Sequence, residues 1–352
     1  MSVTLNECAL PELSQTVQQN CHIADALYAG DYTLCIYLLK MREFYRWERG
    51  LPYNSLLENQ SVGEWLRERE QLWNSLENNE FEPVIIDDEK FDPFDTEAIN
   101  HALKPYELVY SGGLGLKTKP HFFLGKLHQH HEVDDYTVYI SSNEYARDLT
   151  APPAMALGQT IFIRRESLKR MLWEKLEEWR WNKPANAMAR AIKHYDFNTD
   201  VDAALDSMTE NELHSALLHE IGEVEAGQWL GGDWEKMLAE MPRCKAEIML
   251  RALRDHLADA LSTLPSLLEQ EQDASLHFYF ANLNAMRKHM YPSLLAAYRQ
   301  WYENGNIKPL KQQVGQGRDH WQGLAENALE LFREQGPASR DSIESLLENA
   351  IL

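Results

Sequence analysis

Apolar residues recur along most of this chain at the spacing of an α-helix, so the pattern predicts a mainly helical protein. Residues 31–49 (DYTLCIYLLKMREFYRWER) carry apolar side chains on nearly every side, which is typical of a central helix. Asp31 stands at the expected N-terminal cap of this helix, and Gly50 and Pro52 follow its end. Further helices are predicted at residues 62–76, 166–181, 185–195, 209–230, 243–264 and 275–302, with two short helices after Asp319.

Between Tyr106 and Arg164 the pattern changes to short runs that are rich in aromatic and β-branched residues. The runs are ELVY, HFFLGKL, YTVYI and TIFI, and segments with the composition of turns separate them. A small antiparallel sheet or a pair of hairpins is the simplest interpretation. The predicted fold is therefore mainly α (α+β), a multi-helix, bundle-like core with a small antiparallel β insertion.

This pattern also predicts how the chain is organised. An N-terminal helical region is expected at residues 1–104, a small β-rich insertion at residues 105–165, and a C-terminal helical region at residues 166–352. The C-terminal region is expected to pack with the N-terminal region as one core, since 352 residues allow a substantial core.

Composition adds the cellular setting to this picture. No segment has the 18 to 20 uninterrupted apolar residues of a membrane span, and the first residues lack a basic region followed by an apolar one. The four cysteines form no CxxC pair, so neither a disulfide framework nor a zinc ribbon is expected. The sequence thus predicts a cytoplasmic protein that is neither exported nor embedded in a membrane.

The formal net charge of -21 disfavours two classes of partner. Such a charge repels both the phosphate backbone of nucleic acids and anionic lipid surfaces. We therefore expect no nucleic-acid and no membrane partner. The charge is compatible with a basic protein partner or with a small-molecule substrate.

Common motifs of nucleotide binding and covalent catalysis are missing from the sequence. The glycines of SGGLGLK at residues 111–117 fit neither GxGxxG nor GxxxxGK[ST], and a hairpin turn explains them. There is no GxSxG, and no cysteine has the surroundings of a nucleophile.

The distribution of charge is uneven between His194 and Glu235, where eleven acidic residues occur without a lysine or arginine. Carboxylates at this density repel one another unless cations from elsewhere in the fold, a basic partner or a bound metal neutralise them. A solvated acidic surface is the alternative interpretation.

Within this acidic run, the helix predicted at residues 209–230 begins with Thr209 and Glu212 at the spacing of a capping box. Glu212, His219 and Glu223 project within about 40° of one another on its flank. The side opposite the apolar arc of this helix carries small residues, which predicts that another helix packs closely there: Ser215, Gly222 and Ala226.

The segment His219-Glu220-Ile221-Gly222-Glu223 resembles the HExxH helix of zinc peptidases, with glutamate in place of the second histidine. This resemblance implies that His219 and Glu223 bind the metal and that Glu220 acts as the base. The spacing of Glu212 and His219 is also similar to that of helical non-haem dimetal proteins. The alternatives are that Glu212 is only a cap residue and that His219 and Glu223 form an exposed ion pair.

Four further residues are candidate ligands. His256 and Asp259 lie one turn apart on a later helix, and their alternative is a boundary histidine with an exposed aspartate. His277 lies among aromatic residues and is either a ligand or a hydrogen-bonded core histidine. Glu43 lies between bulky apolar residues, so we expect it to be buried beside a metal or, more simply, beside Arg46.

Histidines are also concentrated at residues 128–131 (HQHH). His128 and His130 face the same side if a strand continues through them, and two such histidines can bind zinc or nickel. A solvated loop after Leu127 is the alternative.

These residues lead to two functional hypotheses. The first is a metal-dependent enzyme, hydrolytic or oxidative, that holds a divalent metal (zinc, iron or manganese) between helices and acts on a small molecule. The second is a non-enzymatic acidic protein that binds a basic partner.

Overall fold

The computed structural model describes residues 9–114, 119–133 and 136–352. The described chain is mainly α-helical with two small sheets, which confirms the predicted fold class. It divides into two compact units. Unit 1 contains the described residues up to Leu176 together with Val201–Thr209, and unit 2 contains Glu177–Asp200 and Glu210–Leu352. None of the described helices is both long and apolar enough to cross a membrane.

Unit 1 combines helices with all the strands of the described residues. Its five-stranded sheet has the order β3-β4-β5-β7-β6, and β1 and β2 form a separate two-stranded sheet. The helices are α1 (Ala9–Tyr28), α2 (Leu34–Glu48), α3 (Asn59–Leu76), α4 (Thr96–Leu103) and the first part of α5 (Arg165–Asn182). The strands are β1 (Val84–Ile86), β2 (Glu89–Phe91), β3 (Leu108–Leu114), β4 (Pro120–Val133), β5 (Tyr136–Arg147), β6 (Ala154–Leu157) and β7 (Thr160–Arg164).

The core of unit 1 lies between helix α1 and the five-stranded sheet. Val17 and Cys21 of α1 are fully buried against Phe122 and Leu124 of β4. The sheet region therefore shares a core with helices from residues 1–104. The predicted packing of residues 166–352 with residues 1–104 stays a prediction.

The five-stranded sheet agrees with the predicted position of the β structure and differs in detail. The whole sheet lies between Leu108 and Arg164, but β5 and β7 are parallel, whereas the pattern predicts an antiparallel sheet. The strand β4 continues through the histidines at 128–131 to Val133 and is not followed there by a loop. Residues 115–118, most of which belong to the segment predicted to form a hairpin turn, lie outside the described residues, as does Cys8.

Helix α2 begins later and is less central than its sequence predicts. Thr33, not Asp31, occupies the N-cap position, and its side chain makes no capping hydrogen bond. The first half of the helix is exposed, with Leu34 at 71% and Leu39 at 55% of their possible exposure. The second half is buried and carries Glu43 into the core.

Unit 2 is helical throughout its described residues, and its core is one large apolar cluster that includes Trp234, Leu253 and Trp321. The segment predicted as one helix at residues 275–302 is three helices, which break at Leu283 and Tyr291. The elements are the end of α5, α6 (Ala187–Ile192), α7 (Val201–Leu230, of which Glu210 onward lies in unit 2), α8 (Gly232–Glu240), α9 (Lys245–Ala258), a π-helical turn (Asp259–Thr263), α10 (Leu264–Glu269), α11 (Asp273–Asn282), α12 (Ala285–Met290), α13 (Pro292–Asn304), α14 (Lys308–Gln335) and α15 (Arg340–Asn349).

Helix α7 begins eight residues before the predicted start at Thr209. Thr209 therefore lies inside the helix, where its hydroxyl donates to the carbonyl oxygen of Leu205 at 2.7 Å. The predicted capping box is wrong, because Thr209 is not at an N-cap and Glu212 is not in the first turn. A threonine whose hydroxyl bonds to a backbone carbonyl inside a helix cannot be told from an N-cap threonine by its local sequence.

The predicted close approach of another helix to α7 is confirmed at Gly222. A Cβ atom at this position would stand 2.2 Å from the carbonyl oxygen of Ala258 on α9. Only glycine lets the two backbones come this close. The contact lies one turn after His219 and directly before Asp259, so it determines which side chains of the two helices meet.

Candidate functional site

The close packing of α7 and α9 brings His219 to Asp259. The Nδ1 atom of His219 donates to Oδ1 of Asp259 at 2.8 Å. A carboxylate can only accept, so the proton of the neutral imidazole lies on this nitrogen. Asp259 is 1% exposed, while the His219 side chain remains 34% exposed. The arrangement fixes the ring and leaves the other nitrogen, Nε2, without a hydrogen bond to any described residue.

The π-helical turn Asp259–Thr263 provides the local geometry of this aspartate. The hydroxyl of Thr263 donates to Oδ1 of Asp259 at 3.1 Å, one turn further along. Short π-helical segments widen a helix locally and are frequent at functional sites. The turn therefore adds a second donor to the oxygen atom that already holds His219.

Arg287 on helix α12 holds the other carboxylate oxygen of Asp259 through its Nη2 atom. The same nitrogen donates to the hydroxyl of Tyr279 at 2.9 Å. The side chain of Asn284 caps this helix by accepting from the backbone nitrogen of Arg287 at 2.9 Å. Arg287 is thus fixed at both its backbone and its guanidinium group, and the charge on Asp259 is compensated.

His256, one of the predicted ligands, supports Arg287 from behind. Its Nε2 atom lies 3.1 Å from the carbonyl oxygen of Arg287, and its ring stacks on Trp321 at 4.9 Å. Burial and the nearby Arg287 lower the pKa of His256 to about 3, so the ring is neutral and donates this bond. The alternative of a boundary histidine with an exposed aspartate is wrong, because His256 is 2% exposed and Asp259 is 1% exposed.

The ionisation of the group follows from these contacts. Burial disfavours the charged form of His219, but Asp259, with help from Glu223 and Glu220, raises its pKa to about 9. Burial raises the pKa of Asp259, but the charges of Arg287 and His219 together lower it by more. The pKa of Asp259 therefore stays well below its usual value. Burial raises the pKa of Glu220 to about 7, although His219 opposes the shift. An imidazolium therefore stands beside a carboxyl group that titrates near neutrality.

A cavity of about 660 Å³ opens beside Glu223 and Asp255 in unit 2, and His219, Glu220 and Asp259 are not among its lining residues. Glu223, Arg254 and Asp255 line it, and an ion pair of 2.7 Å joins Arg254 to Glu223. Burial raises the pKa values of both Glu223 and Asp255. Arg254 and Asp255 are half-buried here. The cavity is large enough for a small organic molecule.

Two other predicted ligands have partners of their own in unit 2. Glu212 is 3% exposed and accepts from the hydroxyl of Ser275 at 2.9 Å, and burial raises its pKa to about 8. His277 bonds to the hydroxyl of Tyr298 at 2.9 Å and stacks on Trp301 at 4.8 Å. The structure gives each a hydrogen bond within the core, as the alternative interpretation of His277 predicts.

Glu43 belongs to unit 1 and confirms the prediction that it is buried beside an arginine. It is 2% exposed, and its two oxygens accept from Arg42 at 2.9 Å and Arg46 at 3.1 Å. Arg46 also donates to the backbone carbonyls of Pro52 and Ser55. Glu43 therefore joins helix α2 to the loop after it.

No group of three or more histidine, cysteine, aspartate or glutamate side chains among the described residues is arranged to hold a metal. The assignment of His219, Glu223, Glu212, His256, Asp259, His277 and Glu43 as ligands, and of Glu220 as the catalytic base, stays a prediction. At the other histidine cluster, His128 is exposed and His130 stacks on Tyr139 at 4.7 Å.

Sequence reasoning missed Arg287, Tyr279 and Arg254. Nothing in the local pattern of Arg287 distinguishes it from a surface arginine, since it follows the cap Asn284 in a short, partly exposed helix. The available signal was the acidic run itself, because crowded carboxylates require cations from elsewhere in the fold.

Two family models match this chain. The model described as "Family of unknown function (DUF6866) N-terminal domain" matches residues 12–164, and "Family of unknown function (DUF6866) C-terminal domain" matches residues 169–350. No curated protein and no solved structure matches the chain. The His219 group lies within the C-terminal match. Since the two models together cover most of its length, the chain belongs to the DUF6866 family.

Proposed function

We propose that unit 2 is an enzyme that acts on a small molecule by general acid–base catalysis, with His219 as the proton-transferring residue. The observation that carries this proposal is the bond from His219 Nδ1 to Asp259, whose own carboxylate is fixed by Arg287 and Thr263. A histidine oriented in this way presents Nε2 for proton transfer, as in other sites where a buried carboxylate holds the imidazole.

The charges around His219 favour the role of an acid. Asp259 stays ionised and stabilises the imidazolium, which can then donate its Nε2 proton to a leaving group. Glu220, on the next position of the same helix, has a pKa of about 7 and exists in part as a base at neutral pH. An acid and a base at one site suit a hydrolysis, in which one group protonates the leaving atom and the other activates water.

The cavity beside Glu223 and Asp255 provides room for the substrate. Among the arginines that line this cavity, Arg254 is the one that pairs with Glu223. A substrate with a polar or anionic group can take over part of this pairing. The cavity therefore supports a small-molecule substrate.

A divalent metal at His219 is the second candidate, and one observation favours it. A histidine that binds a metal usually donates its other ring nitrogen to a carboxylate, as His219 does to Asp259. In that case Nε2 of His219 is a ligand and Glu223 and Glu220 of the same helix are candidate further ligands, and these side chains have to move to meet at one metal, since the described residues contain no group arranged to hold one. Zinc, iron and manganese are the metals to test.

The experiment compares the wild type with His219→Gln and with His214→Gln on a panel of ester, phosphoester, amide and glycoside substrates. His214 is the matched control, because it lies on the same helix and bonds only to the exposed Gln270. We expect His219→Gln to lower kcat/KM by about 100-fold or more, while His214→Gln keeps the wild-type value.

Metal analysis of the same preparations by mass spectrometry separates the two candidates. Activity that survives chelation and requires His219 supports acid–base catalysis without a bound metal. Activity that is lost with the metal, and returns with zinc, iron or manganese, supports the second candidate. Wild-type protein that turns over no substrate and binds no metal contradicts both.

A further inference from the structure

Unit 1 contains a pocket of about 320 Å³ between the end of α2, the loop after it, the end of β5 and the start of α5. Four cationic and three acidic side chains line it, in a protein whose net charge is -21. The cations are Arg46, Arg147, Lys169 and Arg170, and the acids are Glu43, Glu166 and Asp202. None of them belongs to the His219 group, so a ligand here is independent of the proposed function.

Three of these cations already have carboxylate partners within unit 1. Arg46 pairs with Glu43, Lys169 pairs with Asp206 at 2.7 Å, and Arg170 pairs with Glu174 at 2.7 Å. These pairs leave little of their charge for a ligand. They also position the side chains around the fourth cation.

Arg147 is the exception. Its side chain is 1% exposed, and its Nε atom has no hydrogen-bond partner among the described residues. Its ion pair with Glu144 spans 3.9 Å, which is too long for a hydrogen bond. The guanidinium group otherwise stacks over Trp47 at 5.0 Å and Phe44 at 5.5 Å.

Glu144 and Glu166 compensate Arg147 only in part, because Glu144 is hydrogen-bonded to Arg164 and, in the described part of the chain, neither carboxylate accepts a hydrogen bond from Arg147. Arg164 donates to both oxygens of Glu144 at 2.9 and 2.7 Å, and the hydroxyl of Ser167 adds a third bond at 2.6 Å. Burial and the neighbouring Arg170 lower the pKa of Arg147 to about 10, which is the sign expected of a cation with too little compensation. An arginine in this state costs stability unless a further anion pairs with it.

We propose that this pocket binds a small organic anion, whose carboxylate or phosphate group pairs with Arg147 and whose apolar part lies against Trp47 and Tyr53. Arginine binds both groups through two parallel hydrogen bonds, and the Nε atom of Arg147 is a donor without a partner among the described residues. The two aromatic residues line the same pocket and offer flat apolar surfaces. The net charge of the protein disfavours polyanions, and the pocket volume fits a small molecule.

The probes are benzoate for the carboxylate, phenyl phosphate for the phosphate, and benzyl alcohol as the uncharged control. Thermal unfolding of the full-length protein is followed at constant ionic strength in a buffer without other oxyanions. A probe at 100 times its Kd raises the folding equilibrium constant about 100-fold. We expect this for at least one of the two anions and not for benzyl alcohol.

The variant Arg147→Met removes the proposed anchor and keeps most of its volume. We expect it to weaken binding of the anion about 10- to 100-fold and to leave the unliganded protein as stable as the wild type or more so. Arg49→Met is the matched control, since Arg49 ends the same helix as Trp47 but is exposed and outside the pocket. It should bind the anion as the wild type does.

The anion that binds, benzoate or phenyl phosphate, identifies the ligand class. Binding of either one is enough to support the proposal. The proposal is overturned if neither anion stabilises the wild type, or if Arg147→Met responds to them as strongly as Arg49→Met does. Should Arg147→Met not fold, the Nε–H resonance of Arg147 in the wild-type NMR spectrum decides. It must shift on addition of the anion, while that of Arg164, which bonds Glu144 and lies outside the pocket lining, stays in place.

Discussion

Two buried arginines, one in each unit, have opposite surroundings. Arg287 in unit 2 donates to Asp259 and Tyr279, and its charge supports the ionised aspartate that orients His219. Arg147 in unit 1 is more deeply buried, its Nε atom has no hydrogen-bond partner among the described residues, and its ion pair with Glu144 spans 3.9 Å. Burial alone therefore does not define the role of a charged residue. Arg287 is compensated within its unit, whereas Arg147 is compensated only in part, which is why we propose an anion from outside the chain as its partner.

The largest effect is expected from Asp259→Ala, which leaves Arg287 buried without its counter-charge and releases His219. We expect the free energy of unfolding to fall by about 3–5 kcal/mol, the usual cost of removing one member of a buried ion pair. Chemical denaturation of the full-length protein measures it. The control is Asp233→Ala in the exposed pair with Arg333, which should cost under about 1 kcal/mol. Equal losses in the two variants would show that Asp259 does not compensate Arg287.

A smaller loss is expected from Glu43→Ala in unit 1, about 3 kcal/mol. Arg46 loses its buried carboxylate but keeps its bonds to the carbonyls of Pro52 and Ser55, which limits the cost. The same denaturation experiment checks this value. A change under about 0.5 kcal/mol would mean that Glu43 contributes packing rather than charge compensation.

The buried Glu212 provides a comparison with the compensated Asp259, because it has a serine partner and no cation. Burial raises its pKa from 4.5 to about 8. A raised pKa means that the folded state holds the proton more tightly, so stability is fully present below pH 4.5 and declines as the pH rises through 8. Glu212→Gln should keep the bond to Ser275 and gain about 2 kcal/mol relative to the wild type at pH 9.

Denaturation of this variant and of the wild type at pH 5 and pH 9 measures the effect. At pH 5 the two proteins should be equally stable within about 0.5 kcal/mol, since Glu212 is then protonated. Glu225→Gln on the exposed side of the same helix is the control and should show no pH-dependent difference from the wild type. If Glu212→Gln loses as much stability between pH 5 and pH 9 as the wild type does, the group that ionises is not Glu212.

The smallest effect is expected from Arg147→Met without ligand, between no change and a gain of about 1 kcal/mol. Removing a partly compensated cation relieves its desolvation, and the methionine side chain keeps the apolar contacts to Phe44 and Trp47. Equilibrium denaturation in an anion-free buffer tests it. A loss as large as that of Asp259→Ala would erase the contrast between the two arginines.

Some features of the site were local enough to predict. The burial of Glu43 beside Arg46 followed from bulky neighbours on its own helix and from a spacing of three residues. The small residue Gly222 indicated a close helix, and Ala258 is the backbone that it meets. Both predictions depend on side chains within one or two helical turns, where the period of the helix fixes the geometry.

Other features depended on contacts that no local pattern contains. The true start of α7, eight residues before Thr209, was missed because Thr209 satisfies its hydroxyl inside the helix and so resembles a cap. The ion pairs of Asp259 and Glu223 were missed because their arginine partners, Arg287 and Arg254, lie 28 and 31 residues further along the chain.

Periodicity and near neighbours were thus enough to predict the mainly helical fold, the position of the five-stranded sheet and the burial of Glu43. Three features became visible only in the folded chain: the bond from His219 to Asp259, the compensation of this aspartate by Arg287, and the Nε atom of Arg147 that has no hydrogen-bond partner among the described residues. The ionisation of a buried group depends on every charge within a few ångströms, and the fold brings those charges from distant parts of the chain.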